Sequence, residues 1–107
     1  MAQESIALTE AVYYILLSLH KPLHGYGIML KVADLSSGRV RLAAGTLYGA
    51  LNTLLDKGWI RALPGERISR KKEYVITEAG RGATANEMAR LRELIANGEL
   101  IFLGDKK

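Results

Sequence analysis

Residues 45–60 read GTLYGALNTLLDKGWI, and the spacing of their apolar side chains predicts a helix. Four leucines recur at intervals of three and four residues, as on a buried helix face. The opposite face carries glycine and short polar side chains, where a surface helix more often carries lysine and glutamate. Gly49 lies in the middle of this face, although glycine weakens a helix by about 1 kcal/mol relative to alanine. The buried stripe is Leu47, Leu51, Leu54 and Leu55.

The outer face of this helix has the properties that entry into DNA requires. The major groove is only about 12 Å wide, so short hydrogen-bonding side chains suit it. A glycine lets the backbone approach phosphates closely, and the amides of a helix N-terminus attract anions. We therefore predict a recognition helix from about residue 43 or 44 to Lys57, ended by Gly58. An ordinary amphipathic helix is the alternative that periodicity alone leaves open.

Two helices and a short strand are predicted before the recognition helix. Apolar residues from Leu8 to Leu19 follow helical spacing, with Thr9 as the N-cap. The other side of that helix also carries Tyr13 and Leu17, so more than one neighbour is needed to cover it. A second helical stripe begins at Ile28, and the alternating RVRL of residues 39–42 predicts a minor strand.

A basic hairpin and a long helix are predicted after the recognition helix. Residues 59–63 and 71–77 are strand-like and are joined by a turn that carries several cations. From Thr77 to about Phe102 the spacing is helical again. This segment contains a narrow seam of the kind that two helices share. The seam residues are Met88, Leu91, Ile95, Gly98 and Phe102.

Positive charge is concentrated in one third of the chain. The 107 residues carry a net charge of +4. Residues 39–72 contain eight basic and two acidic side chains, a net +6, whereas the remainder contains seven basic and nine acidic ones, a net −2. This distribution favours a polyanionic partner, nucleic acid first.

Several function classes find no support in the sequence. The chain has no cysteine, and its two histidines, His20 and His24, are separated by Pro22, which argues against a metal site on one continuous helix. We expect no metal, no cofactor and no enzymatic activity, because neither a nucleophile with its base nor a paired-carboxylate site is recognisable. The apolar run AVYYILLSL is too short to span a membrane. We expect a cytoplasmic protein.

Three motifs in this order resemble the PadR family of bacterial transcriptional regulators. They are LHGYGIMLKV, AAGTLYGALNTLLDKGWI and RKKEYVITEAGR, and the resemblance covers roughly residues 5–102. It implies a mainly α fold with a small β-hairpin, in which a winged helix-turn-helix is followed by a long C-terminal dimerisation helix. Residues 1–76 would form the DNA-binding domain and residues 77–107 the dimerisation helix. The expected function is a homodimeric repressor that binds a two-fold, double-stranded DNA operator.

The resemblance also implies roles for individual residues. Thr46, Tyr48 and Asn52 would contact DNA from the recognition helix, and Tyr26 would support the preceding helix or touch a phosphate. Tyr48 could instead pack the recognition helix on the wing. With Gly49 and the cations of the basic third, the candidate DNA-binding set is Tyr26, Arg39, Arg41, Thr46, Tyr48, Gly49, Asn52, Arg67, Arg70, Lys71 and Lys72.

Some relatives bind flat aromatic effectors between the helices of the dimer. Here the dimer interface and effector lining would come from Tyr13, Leu17, Met88, Leu91, Ile95 and Phe102. A plain hydrophobic dimer core is the alternative, because the C-terminal helix has no tryptophan for stacking. For the whole chain, the alternative function is a winged-helix module that binds an acidic protein rather than a specific operator.

Overall fold

The computed structural model describes residues 7–64 and 72–104. It is mainly helical with a small antiparallel sheet, as predicted. The helices are α1 (Glu10–Ser18), α2 (Gly25–Leu35), α3 (Ala44–Lys57) and α4 (Glu78–Glu99), and the strands are β1 (Leu23–His24), β2 (Ile60–Leu63) and β3 (Glu73–Ile76). A π-helical turn, Leu100–Gly104, continues α4.

Side-chain caps set the first residue of three helices. The Thr9 hydroxyl accepts a hydrogen bond from the Val12 amide at the start of α1, as predicted. The His24 ring accepts from Gly27 N–H at the start of α2, and Thr77 caps α4 in the same way. Such caps satisfy amides that have no partner inside the helix. Gly58 ends α3 with a φ of 76°, a left-handed conformation that favours glycine.

The sheet has three strands in the order β1-β3-β2, with Leu23 opposite Tyr74 and Ile60 opposite Ile76. The minor strand predicted for residues 39–42 is wrong, because this segment forms no strand. The Ser36 hydroxyl instead accepts from the Val40 amide at 2.9 Å, which ties the segment to the end of α2. The outer edge of β3 is paired with β1, in a loop where no strand was predicted.

The core lies where α1, α2, α3 and the sheet meet. Leu47, Leu51 and Leu54 of α3 are buried there, and Leu55 is partly buried beside them, so the predicted stripe is confirmed. Tyr74 and Ile76 of β3 are also buried. The complete set is Ile15, Leu16, Leu19, Ile28, Val32, Leu47, Leu51, Leu54, Ile60, Tyr74 and Ile76.

The last helix packs on this core at its beginning and then leaves it. Gly80 lies against the backbone of Trp59, where a Cβ atom would come within 2.9 Å of the carbonyl carbon. From residue 92 to residue 104, a segment we call the arm, every residue is exposed. In the described ranges, no helix is both long and apolar enough to cross a membrane.

Candidate nucleic-acid interface

The outer face of α3 is open to solvent and carries the predicted short side chains. Thr46, Gly49 and Asn52 are exposed, while the leucines on the other side of the helix are buried. A Cβ atom placed on Gly45 or Gly49 would meet no described atom within 4 Å. These glycines therefore leave room outside the helix rather than inside the protein, and another macromolecule could approach the backbone there.

The first turn of α3 offers backbone amides without a side-chain cap. Its N-cap residue is Ala43, which has no side-chain acceptor, and Ala44, Gly45 and Thr46 are exposed after it. Amides at a helix N-terminus carry a partial positive charge and bind anions such as phosphate. This end of α3 can therefore contribute to anion binding together with nearby cations.

Tyr48 lies on the flank of α3 and reaches towards α2 and the sheet. A Cβ atom on Gly25 would lie 2.8 Å from Cζ of Tyr48 and closer still to its hydroxyl, so the phenol packs directly on the Gly25 backbone. Tyr48 also adds to the rise in the pKa of Tyr74, which is mainly due to burial. Tyr48 remains 46% exposed, so one edge of the ring still faces solvent.

The two arginines before α3 are held in different ways. Arg39 forms an ion pair with Glu10 of α1, with 2.5 Å between Nη2 and Oε2, and this contact lowers the pKa of the Glu10 carboxyl. The guanidinium of Arg41 lies over Gly38, where a Cβ atom would be 3.1 Å from Nη2. Both side chains start near the N-terminus of α3, although Arg39 already has an acidic partner.

Of the remaining predicted DNA-binding residues, Tyr26 and Lys72 are described. Tyr26 is 62% exposed on α2 and directly follows the glycine that touches Tyr48. Lys72 is exposed just before β3. Arg67, Arg70 and Lys71 lie outside the described residues.

Two cavities lie between α1 and α4, and four of the six predicted dimer and effector residues line them. Tyr13 and Leu91 line one of about 280 Å³. Leu17 and Met88 line the other, of about 210 Å³. Ile95 and Phe102 line neither and are 59% and 85% exposed on the arm. The predicted seam is therefore half-buried against α1 in its first part and exposed in its second.

A buried charged residue lies between these helices and was not predicted. Glu87 of α4 is only 4% exposed and accepts two hydrogen bonds from Arg90, at 2.9 and 2.6 Å. It also accepts a long one from the Leu8 amide. The Arg90 contact keeps the pKa of the Glu87 carboxyl below its ordinary value despite burial. The three-residue spacing of Glu87 and Arg90 was the available sequence signal.

The two histidines make local hydrogen bonds to their own neighbourhood. Nδ1 of His24 accepts from Gly27 N–H at 3.2 Å, and Nδ1 of His20 lies 3.0 Å from the Leu17 carbonyl oxygen. Within residues 7–64 and 72–104, no three histidine, aspartate or glutamate side chains are grouped so that they could hold a metal ion.

Comparison with known proteins gives a family match over most of the chain. A model of the transcriptional regulator PadR-like family matches residues 14–86. One curated relative, an uncharacterized 37.1 kDa protein in transposon Tn4556 of Streptomyces fradiae, is 41% identical over 73 residues, which are 65% of this chain. The match spans only 20% of the length of that relative.

Solved structures share the fold over nearly the whole chain. A PadR-like transcription factor from Bacteroides fragilis is 26% identical, with a TM-score of 0.70 over 84% of this chain and 87% of its own. A PadR family transcriptional regulator from Eggerthella lenta is 23% identical, with a TM-score of 0.72 over 86% of this chain and 81% of its own. RosR from H. salinarum is 19% identical, with a TM-score of 0.64 over 92% of this chain and 100% of its own.

Proposed function

The chain belongs to the PadR-like family of transcriptional regulators, and we propose that it is a homodimeric repressor of a two-fold DNA operator. Family membership places it among DNA-binding transcriptional regulators rather than enzymes. Residues 1–76 act as the winged helix-turn-helix domain and residues 77–107 as the dimerisation helix in this proposal.

The observation that carries the proposal is the open outer face of α3. Thr46 and Asn52 are exposed beside Gly45 and Gly49, and nothing in the described part of the chain fills the space above these glycines. Such a face fits the major groove, where asparagine pairs with adenine through two hydrogen bonds. The uncapped amides that follow Ala43 would bind a phosphate at the edge of the groove.

The cations near α3 supply the sequence-independent part of the affinity. Arg41 precedes α3, and Lys72 extends from the base of the wing, which also includes Arg67, Arg70 and Lys71 in the sequence. Phosphate contacts fix the register of a protein on DNA and carry no sequence information. A dimer with about four wing cations per subunit would neutralise on the order of six to eight phosphates.

A second copy of the chain is the proposed partner of the arm. Leu94, Ile95 and Phe102 are each more than half exposed, as are the neighbouring apolar residues of the π-helical turn. Contiguous exposed apolar surface of this kind marks an interaction site. A two-fold dimer would place its two α3 helices at half-sites about 34 Å apart, one turn of DNA.

Release by a small aromatic effector is the part of the proposal that rests on the α1–α4 cavities. The larger one is lined by Tyr13, Tyr14 and Leu91, with the two tyrosine rings tilted by 53° at 6.1 Å between centroids. Its 280 Å³ exceeds the volume of about 150 Å³ that suffices for benzene. A ligand there would contact both α1 and α4. A plain hydrophobic dimer core remains the competing use of these residues.

The test measures the affinity of the purified protein for DNA from upstream of its own gene. Fluorescence anisotropy gives this affinity at each of several salt concentrations. We expect log affinity to fall with log salt at a slope of about −5 to −7, given roughly −0.9 per phosphate. Lys72→Ala removes one phosphate contact from each subunit and should lower the steepness by about two, whereas Arg92→Ala on the arm serves as the charge-matched control and should not. Asn52→Ala should reduce the preference for the operator over unrelated DNA.

Two outcomes would contradict this function. Affinity that does not depend on salt would exclude phosphate contacts as its main source. Absence of binding at low salt would favour the alternative, a winged-helix module that uses its basic face on an acidic protein.

A further inference from the structure

The contact between Gly25 and Tyr48 joins the first turn of α2 to the flank of α3. Gly25 is buried, and the atoms nearest to a Cβ there are Oη, Cζ and Cε1 of Tyr48, with Cε1 at 3.5 Å. Non-bonded approaches below 3.0 Å to a Cβ atom essentially never occur in proteins. Any residue larger than glycine at position 25 would therefore displace the phenol or the helix that carries it.

The middle strand of the sheet lies near this contact. Tyr74 of β3 is close enough to Tyr48 for the two phenols to interact electrostatically. Tyr74 stands opposite Leu23 in the β1–β3 pair, and Leu23 is two residues before Gly25. The start of α2 and the flank of α3 thus meet at one phenol ring, and Tyr74 of β3 is within electrostatic range of it.

This position differs from that of the leucines that hold α3 on the core. Leu47, Leu51 and Leu54 form one buried stripe along the axis of α3, and all three face the core. Tyr48 projects from the flank, one residue after Leu47, and reaches a neighbouring helix. Because this contact lies to one side of the leucine stripe, it opposes rotation of α3 about its own axis.

We propose that the packing of Tyr48 on Gly25 sets the rotation of α3 about its axis, and with it which side chains reach the base edges. Tyr48 is then a positioning residue, and its ring rather than a hydroxyl contact to DNA carries the effect. The proposal rests on the proposed function, since it concerns the specificity of the same DNA-binding face. Misplacing α3 would remove base contacts, which depend on direction, more than phosphate contacts, which depend mainly on charge.

The experiment compares operator DNA with unrelated DNA of equal length for matched variants. Gly25→Ala should lower operator affinity by roughly tenfold to a hundredfold, the discrimination of one good base contact. Its affinity for unrelated DNA should change by less than about threefold, because phosphate contacts persist. Gly27→Ala is the control on the same helix, where the nearest atom to a Cβ is the flexible Leu23 side chain at 3.2 Å.

Substitutions at Tyr48 separate positioning from direct contact and do not depend on the folding of Gly25→Ala. Tyr48→Phe keeps the ring and should keep the operator preference, whereas Tyr48→Ala should lose it. Adding Gly25→Ala to Tyr48→Ala should cause no further loss, because the obstructing phenol is gone. Equal losses for Tyr48→Phe and Tyr48→Ala, or equal effects of Gly25→Ala and Gly27→Ala, would overturn the proposal.

A measurement without DNA distinguishes failure of the proposal from failure of the proposed function. In amide NMR spectra, Tyr48→Ala should shift resonances along the exposed face of α3, including Asn52, whereas Tyr48→Phe should leave them close to wild type. If the wild-type protein does not distinguish operator from unrelated DNA, the proposed function fails. The spectra then test the positioning role of Tyr48 by themselves. Unchanged α3 resonances in Tyr48→Ala would refute that role.

Discussion

The body of the protein, residues 7–64 and 72–91, and the arm, residues 92–104, use apolar side chains in opposite ways. In the body, Ile15, Leu16 and Leu51 are fully buried within a single chain. In the arm, Ile101 is 68% and Phe102 85% exposed. The body closes its own core, whereas the arm presents apolar surface that only another surface could cover.

This contrast shows what a periodic apolar pattern does and does not determine. The seam from Met88 to Phe102 is continuous in sequence, yet it is covered by α1 at Met88 and Leu91 and uncovered at Ile95. Periodicity identifies a helix face that is suited to burial. Whether that face is buried within the same chain depends on where α1 ends. The periodicity of α4 carries no information about the position of α1.

The largest expected difference between body and arm concerns the concentration dependence of stability. Leu51→Ala should lower the free energy of unfolding by about 2–5 kcal/mol at every protein concentration, because it opens a cavity in the body. Phe102→Ala should have little effect on dilute, monomeric protein and a clear one at high concentration, where dimerisation stabilises the fold. Urea unfolding at two concentrations a hundredfold apart measures both.

A loss for Phe102→Ala that is the same at both concentrations would break the contrast, because the arm would then be covered within its own chain. Sedimentation of the same samples supplies the control. Wild-type protein should shift from monomer to dimer over the concentration range, and Phe102→Ala should shift at higher concentration.

The next prediction concerns the start of α4, where the helix packs on the body. Gly80→Ala should destabilise by about 1–3 kcal/mol, since a Cβ would lie 2.8 Å from Cγ1 of Ile76 and 2.9 Å from the Trp59 carbonyl carbon. Gly82→Ala is the matched control two residues on, where a Cβ would meet no described atom within 4 Å. It should be neutral or stabilising by up to about 1 kcal/mol, because alanine is the better helix former. Thermal melting of the two variants in parallel decides between these outcomes.

Gly80 packs closely against its neighbours and Gly82 does not, although both lie in the first turns of α4. A glycine in a helix looks the same in sequence whether it touches a neighbour or faces solvent. The helix boundaries were more predictable, because Thr9 and Gly58 act within one turn of their own position. The short strand at residues 23–24 was missed because it is defined only by its pairing with β3, some fifty residues away.

In the candidate site, too, features within one helix could be predicted and contacts between distant segments could not. Periodicity alone placed Asn52 on the outer face of α3 and Thr46 on its flank, and both are exposed. The packing of Tyr48 on Gly25 and the ion pair of Arg39 with Glu10 were not predicted. The first joins α2 to α3 and the second joins the segment after α2 to α1, so neither partner can be identified by spacing within one helix. The DNA contacts of Thr46, Asn52, Tyr48 and Arg39 remain predictions.

The smallest expected effect concerns the last buried turn before the arm. Glu87 has a pKa below its ordinary value in the folded chain, chiefly through the Arg90 hydrogen bonds. A carboxyl of this kind stabilises the fold fully above its unfolded pKa, about 4.3, and the contribution is lost as pH falls through the lower folded value. Stability of the wild type should therefore fall between about pH 5 and pH 3 more steeply than that of Glu87→Gln, as followed by urea midpoints.

Glu10→Gln is the matched control for this acid effect, because the Glu10 carboxyl is also lowered in pKa by an arginine but is exposed. Water and salt screen an exposed pair, so its substitution should change the pH profile less than Glu87→Gln. Raising the salt concentration should flatten the Glu10-dependent part first, since the Glu87 side chain is only 3% exposed and is screened less. Equal profiles for wild type and Glu87→Gln would mean that the Glu87 carboxylate, through its Arg90 pair and its bond from the Leu8 amide, does not stabilise the fold.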